Sequence, residues 1–127
     1  MLDHLEIHTR RLADCFGFYQ TVLEPLDYRL VVDGDQKGFG HEGRLDFWLV
    51  EGDASTHVHY AFAAHDWKSV HAAFDLAECH GGRQDRPPAL APHIHPDYFA
   101  GYARDPDDRL VEFVCQRAGG GNGQDVK

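Results

Sequence analysis

The sequence predicts an α+β fold built from two tandem copies of a strand–helix–three-strand unit, βαβββ. Three observations lead there. Fifty-five residues separate His4 from His59, Leu12 from Trp67, Cys15 from Val70 and Tyr19 from Phe74, so a strand and a helix recur in one register. A second echo sets Arg44-Leu45-Asp46-Phe47-Trp48-Leu49 beside Arg109-Leu110-Val111-Glu112-Phe113-Val114, at a different offset because the loops differ. Both copies open on a run that alternates apolar and polar residues, the period of a strand with one buried face.

The elements follow in order. In Leu2–His8, Leu5 and Ile7 point one way and His4, Glu6 and His8 the other. Leu12, Cys15, Phe16, Tyr19, Val22 and Leu23 recur at helical spacing, and Pro25 is placed to end that helix. Strands are predicted at Tyr28–Asp33, Lys37–Gly40 and Leu45–Val50, with Asp33-Gly34-Asp35 as a turn. After a polar connection the pattern restarts with a strand at His57–Phe62. A helix follows, capped by Asp66, striped by Trp67, Val70, Phe74 and Ala77, and stopped at Gly81-Gly82. A Pro-rich loop is predicted from Pro87 to Pro96. Strands at Tyr98–Arg104 and Leu110–Cys115 flank the turn Asp105-Pro106-Asp107-Asp108. The expected organisation is a single domain over 1–117, with module one at about 1–52, module two at about 56–117, and a flexible Gly-rich tail at 118–127.

Bulk properties narrow the partners. The chain has 127 residues, 43% of them apolar, enough for one packed domain. A formal charge of −9 argues against nucleic acid or an anionic membrane as partner. No apolar run is long enough to span a bilayer, and the N-terminus enters a patterned strand with no room for a signal peptide. Cys15, Cys79 and Cys115 form no CxxC pair and read as reduced thiols, so a cytoplasmic location is expected. The ten histidines are scattered, unlike a tag.

His4, His59 and Glu112 carry the chemistry. Two imidazoles and one carboxylate are ligands that a divalent transition metal takes when positions must stay open for substrate. Glu112 stands in the apolar run Leu110–Val114, where an unpaired carboxylate is costly. A metal ion would offset that cost, and an arginine such as Arg44 or Arg109 is the alternative partner. His57, two residues before His59, shares its face if the strand includes both; it reads as a base, a substitute ligand or a strand-end surface residue. His93 and His95 lie in the segment PHIHPDY, which is either a lid bringing an imidazole or a rigid surface loop. Tyr98 and Tyr102 share a strand face, and one could hydrogen-bond a bound oxyanion. Phe47 is a candidate apolar wall of a substrate pocket.

At this point the chain resembles the vicinal oxygen chelate superfamily, which includes glyoxalase I, bleomycin-resistance proteins and extradiol dioxygenases. The resemblance covers about residues 2 to 116 and rests on the order and spacing of LDHLEIHT, FGFYQTVLEPL, HVHYAFAA and DPDDRLVEFVC. It implies two βαβββ modules whose curved sheets form a half-open barrel around a metal cleft. By resemblance, ligands come from the first and last strand of each module, which matches His4, His59 and Glu112. The fourth ligand position aligns with Phe47, which cannot ligate, although Asp46 is one residue away. Asp108 stands where many relatives have glycine.

The resemblance implies one divalent ion and a small-molecule substrate with adjacent oxygens. Fe or Mn suits oxygenation, and Zn or Ni suits lyase or isomerase chemistry. It also implies a homodimer, because module sheets leave open edges. His93, Tyr102 and His57 are the candidate catalytic groups, with Phe47 and Tyr98 at the substrate pocket. Two other readings stand beside the metal enzyme. One is a bleomycin-resistance-type binding protein without catalysis, and the other is a relative with a filled but inactive site.

Overall fold

A computed structural model describes residues 2–121. Module one comprises β1 (Leu5–Thr9), α1 (Leu12–Leu23), β2 (Arg29–Asp33), β3 (Lys37–His41) and β4 (Arg44–Glu51). Module two comprises β5 (His59–Ala63), α2 (Trp67–Asp75), β6 (Arg83–Leu90), β7 (Phe99–Arg104) and β8 (Leu110–Cys115). Each module makes one four-stranded mixed sheet, in the orders β1-β4-β3-β2 and β5-β8-β7-β6. The first strand of each module runs parallel to the last, and the remaining neighbours are antiparallel. The two modules are topological copies, as the repeat predicts.

The core lies between the sheets and the two helices. Ile7, Phe47 and Leu49 from the first sheet, and Phe62, Val111 and Phe113 from the second, are buried with Tyr19, Val22 and Val70. Phe47 is the centre of an aromatic cluster with Tyr19, Phe39, Tyr60 and Phe62. The opposite face of each sheet is the open face. It carries Glu6, Trp48 and Val50 in module one, and His59, Tyr102 and Glu112 in module two.

A buried polar clasp ties the modules together. The guanidinium of Arg109 is fully buried and donates to Asp105 at 2.6 Å and to Asp107 at 3.0 Å. It also donates to the backbone oxygens of Ser55 at 2.6 Å and His8 at 2.5 Å, so one side chain of module two holds the end of β1. Tyr19 of α1 donates to Asp105 at 2.7 Å. Burial pulls the guanidinium pKa down, but the Asp105 charge more than reverses this, and the group stays a cation.

Several local expectations are refined or revised. The α-helix ends at Leu23 ahead of Pro25 as expected, and the chain adds a 3-10 turn over Glu24–Leu26 with Pro25 in its first turn. The stretch 83–90 is a strand, not the start of a Pro-rich loop. Pro87 and Pro88 are accommodated because β6 is an edge strand whose register shifts on both sides of Arg86. His57 lies outside β5 with a φ of 59°, so the period-two argument that gave it the face of His59 does not apply. In the Gly-rich tail, Ala118–Gly121 docks on α2. Trp67 N–H donates to Gly120 O at 3.2 Å, and a Cβ on Gly121 would come within 2.4 Å of the Trp67 ring. The rest of the expected flexible tail, 122–127, lies outside the described residues.

Candidate functional site

Strand pairing decides which side chains meet. In module two, His59 faces Leu110 and Ala61 faces Glu112. His59 and Glu112 are therefore diagonal neighbours on one face, and His59 Nε2 stands 3.0 Å from Glu112 Oε1. The Glu112 side chain is 4% exposed and that of His59 48% exposed. Among the described residues, the imidazole is the only salt-bridge partner of this buried carboxylate. The arginine alternative does not hold, because Arg109 is occupied by the clasp and Arg44 pairs with Asp3.

The hydrogen-bond arrangement of His59 is informative. Its Nδ1 faces the carbonyl oxygen of Leu110 at 3.2 Å and its Nε2 faces a carboxylate. Both ring nitrogens thus point at acceptors. A neutral imidazole has one donor and cannot satisfy both. Meeting both contacts takes one further proton between the ring and the carboxyl group, or a cation at Nε2.

Tyr98 closes the other side of the carboxylate. Its hydroxyl donates to Glu112 Oε2 at 2.5 Å. Burial, followed by the Glu112 hydrogen bond and charge, pushes the phenol pKa well up, so it remains a donor. Tyr102 pairs with Glu112 across β7 and β8, and its ring stacks on His59 with centroids 6.2 Å apart. Burial and then the Glu112 charge raise its pKa as well.

The other expected site residues are placed elsewhere. His4 precedes β1, is 55% exposed and sits 2.9 Å from Asp3. It lines a cavity of about 300 Å³ between the modules, with Tyr28, Asp46, Phe47, Tyr60 and Phe62. Among the described residues, no three His, Cys, Asp or Glu side chains gather to hold a metal ion. Within one chain His59 and Glu112 meet, and His4 does not join them. His57 contacts Thr56 and lines a surface depression with Arg104 and Asp107, away from Glu112. His93 is exposed beside a groove that it shares with Arg86 and Tyr102.

Phe47 is 2% exposed and borders the intermodule cavity from its core side, not from the open face. The register explains this. Leu5 pairs with Phe47 as Tyr60 pairs with Val111, so the true counterpart of Glu112 is Trp48. The sequence echo was offset by one residue, and one residue reverses the face of a strand. Asp46 is the extra residue where the β3–β4 register shifts, and it accepts a hydrogen bond from Tyr28 beside the intermodule cavity.

Sequence reasoning passed over Arg86. Its guanidinium carbon lies 3.9 Å over the Tyr102 ring centroid. The signal was hidden because Pro87-Pro88 reads as a loop, and no face can be assigned to a loop residue.

No family model matches the chain, and no curated protein matches it. Solved structures do. A glyoxalase/bleomycin resistance protein from Albidiferax ferrireducens T118 superposes with a TM-score of 0.78 at 18% identity, over 89% of this chain and 97% of that one. The fosfomycin resistance protein FosX from Mesorhizobium loti matches with a TM-score of 0.64 at 19% identity, over 91% of each chain. Lactoylglutathione lyase from Agrobacterium tumefaciens matches with a TM-score of 0.65 at 18% identity, over 91% of this chain and 92% of that one. At these identities the likeness establishes the fold, which is that of the glyoxalase, bleomycin-resistance and dioxygenase proteins.

Proposed function

We propose that this protein is a divalent-metal-dependent enzyme acting on a small substrate with two adjacent oxygens, and that His59 and Glu112 supply two ligands and His4 the third. The observation that carries this reading is the 3.0 Å spacing of His59 Nε2 and Glu112 Oε1. Donors at neighbouring positions of one ion, each about 2.0–2.2 Å from it, stand about 3 Å apart. The two acceptors facing the His59 ring support it too. With a cation at Nε2, the neutral imidazole keeps its Nδ1 proton for Leu110 O and both contacts are satisfied.

These two residues fit a metal in donor type, spacing and charge. The third donor has to come from outside the cluster. A homodimer that sets module one of a second copy against the open face of module two would bring His4 there. Support comes from the single chain, in which His59, Ala61 and Ala63 of edge strand β5 and Glu6 of edge strand β1 are exposed.

A divalent ion bound there supplies Lewis acidity toward a chelating pair of oxygens. The protein's own side chains do the rest. Tyr98 holds Oε2 and so aims Oε1 at His59. Leu110 O fixes the ring tautomer of His59. Tyr102 covers one side of the imidazole and limits water there. His93 is the candidate proton carrier from the groove rim. The three cysteines are unpaired, which supports a cytoplasmic setting.

Metal content of protein purified without chelator, together with mass in solution, tests this reading. One Fe, Mn, Zn or Ni per site is expected in a dimer, with affinity falling at least about a hundred-fold in His59→Ala and Glu112→Gln. Oxygen uptake with a catechol would select the oxygenase, and turnover of a glutathione hemithioacetal the lyase. A native dimer that takes up none of these ions sinks the reading. The second reading, non-catalytic small-molecule binding, would then stand on the intermodule cavity, where Asp46 adjoins Tyr28, Phe47 and Phe62.

A further inference from the structure

The open face of module two holds a row that the proposed metal chemistry does not use in full. Arg86 of β6 pairs with Tyr102 of β7, Tyr102 pairs with Glu112 of β8, and Glu112 pairs with Ala61 of β5. The row therefore runs from a cation, through a phenol, to the candidate metal ligand. Neighbouring strands are about 4.8 Å apart, so the backbones of Arg86 and Glu112 lie about 10 Å apart along it. The Arg86 guanidinium carbon is 3.9 Å from the Tyr102 ring centre, and the His59 ring centre is 6.2 Å from it.

A groove of about 210 Å³ adjoins the row, walled by Pro87, Leu90, Ile94 and Ala100 and bordered by Arg86 and Tyr102. Leu90 and Ile94 are among the exposed large apolar side chains of the protein. The charge of Arg86 is incompletely balanced. Its Nε lies 3.5 Å from Asp85, but Arg104 shares that carboxylate at 3.6 Å. Two guanidiniums thus face one carboxylate, in a chain whose net charge is −9. The Tyr102 ring under Arg86 restrains the fork and leaves its planar donors suited to a carboxylate.

We propose that Arg86 anchors a carboxylate of the substrate, a specificity contact that rests on the His59–Glu112 reading above. The substrate would be a small carboxylic acid with an apolar spacer in the groove and its adjacent oxygens about 10 Å from the carboxylate. The spacer covers Leu90 and Ile94, and the carboxylate replaces water on Arg86.

Two sets of probes test this. Hexanoate and its neutral counterpart hexanamide are titrated into the protein as purified and followed by NMR. Hexanoate should shift the Tyr102 ring and Arg86 Nε–H resonances, and hexanamide should not. Arg86→Met should weaken hexanoate binding about ten-fold or more, and Arg86→Lys should recover part of it through charge without the fork. Equal responses to hexanoate and hexanamide, or unchanged hexanoate affinity in Arg86→Met, would overturn the proposal.

Dihydroxyphenyl alkanoates of graded chain length form the second set, used on metal-loaded protein. Affinity should peak when the catechol oxygens and the carboxylate are about 10 Å apart. A length dependence that is the same in Arg86→Met also counts against it. Metal uptake is measured on the same variants and should be unaffected at Arg86. Loss of the metal reading with Arg86-dependent hexanoate binding intact, or the reverse, tells the two failures apart.

Discussion

The open faces of the two modules share a backbone and a register yet carry different chemistry. Module two assembles a buried carboxylate, an imidazole 3.0 Å from it, and a phenol holding its other oxygen. At the equivalent strand positions module one has Trp48 in place of Glu112, and His4 turned to Asp3. The repeat copies the scaffold, and single residues on β4 and β8 decide which copy holds a buried carboxylate. The difference also separates Arg109, sealed in the clasp of module two, from Arg44, exposed on module one.

The largest expected effect tests that last contrast. Arg109→Ala leaves Asp105 buried without its cation and should cost about 3–5 kcal/mol in a urea unfolding curve. Arg44→Ala, which loses only an exposed contact with Asp3 at 3.9 Å, should change stability by less than about 0.5 kcal/mol. Similar losses in both would end the claim that the clasp joins the modules.

Core placement of Phe47 comes next. Phe47→Ala should cost about 3–5 kcal/mol by denaturation, since the ring packs against four aromatic neighbours. Trp48→Ala, on the open face, should cost clearly less. Equal costs would mean that the register relation between β4 and β8 is misassigned.

A third change concerns only module two and tests the proposed metal site. Tyr98→Phe removes the donor to Glu112 Oε2 and should lower metal affinity about ten-fold, read by competition with a chelating dye, with the thermal midpoint little changed. An unchanged affinity would show that Glu112 needs no second partner.

The smallest effect compares the helices. The Asp66 carboxylate caps α2 by accepting from Ser69 N–H at 2.9 Å, whereas Arg11 at the start of α1 makes no side-chain cap. Asp66→Ala should cost about 1 kcal/mol, and a null result would assign α2 stability to packing alone.

Much of the fold was legible because each module is written in local periodicity. The two amphipathic helices and the alternating strands declare their buried faces through spacing alone, which is why the repeat of Leu12 and Tyr19 in Trp67 and Phe74 held. Glu112 was legible for a different reason, since a carboxylate in an apolar strand demands an explanation. The face of His57 and the place of Arg86 were not legible where the period breaks, the one at a residue with positive φ and the other beside two prolines in an edge strand. In the tail, the glycines by themselves read as freedom, while Gly121 is required by its contact with Trp67.

The sequence by itself determined the two modules, the faces of their regular elements and the presence of a carboxylate in an apolar strand of the second one. Those properties follow from spacings of two and three to four residues, which any short segment carries within itself. Only the tertiary structure decided that Trp48 and not Phe47 opposes Glu112, that His4 stands apart from the pair in a single chain, and that Arg86 lies in line with it. Each of these depends on how strands distant in sequence slide against one another. A shift of one residue there reverses a face without leaving any trace in the local pattern.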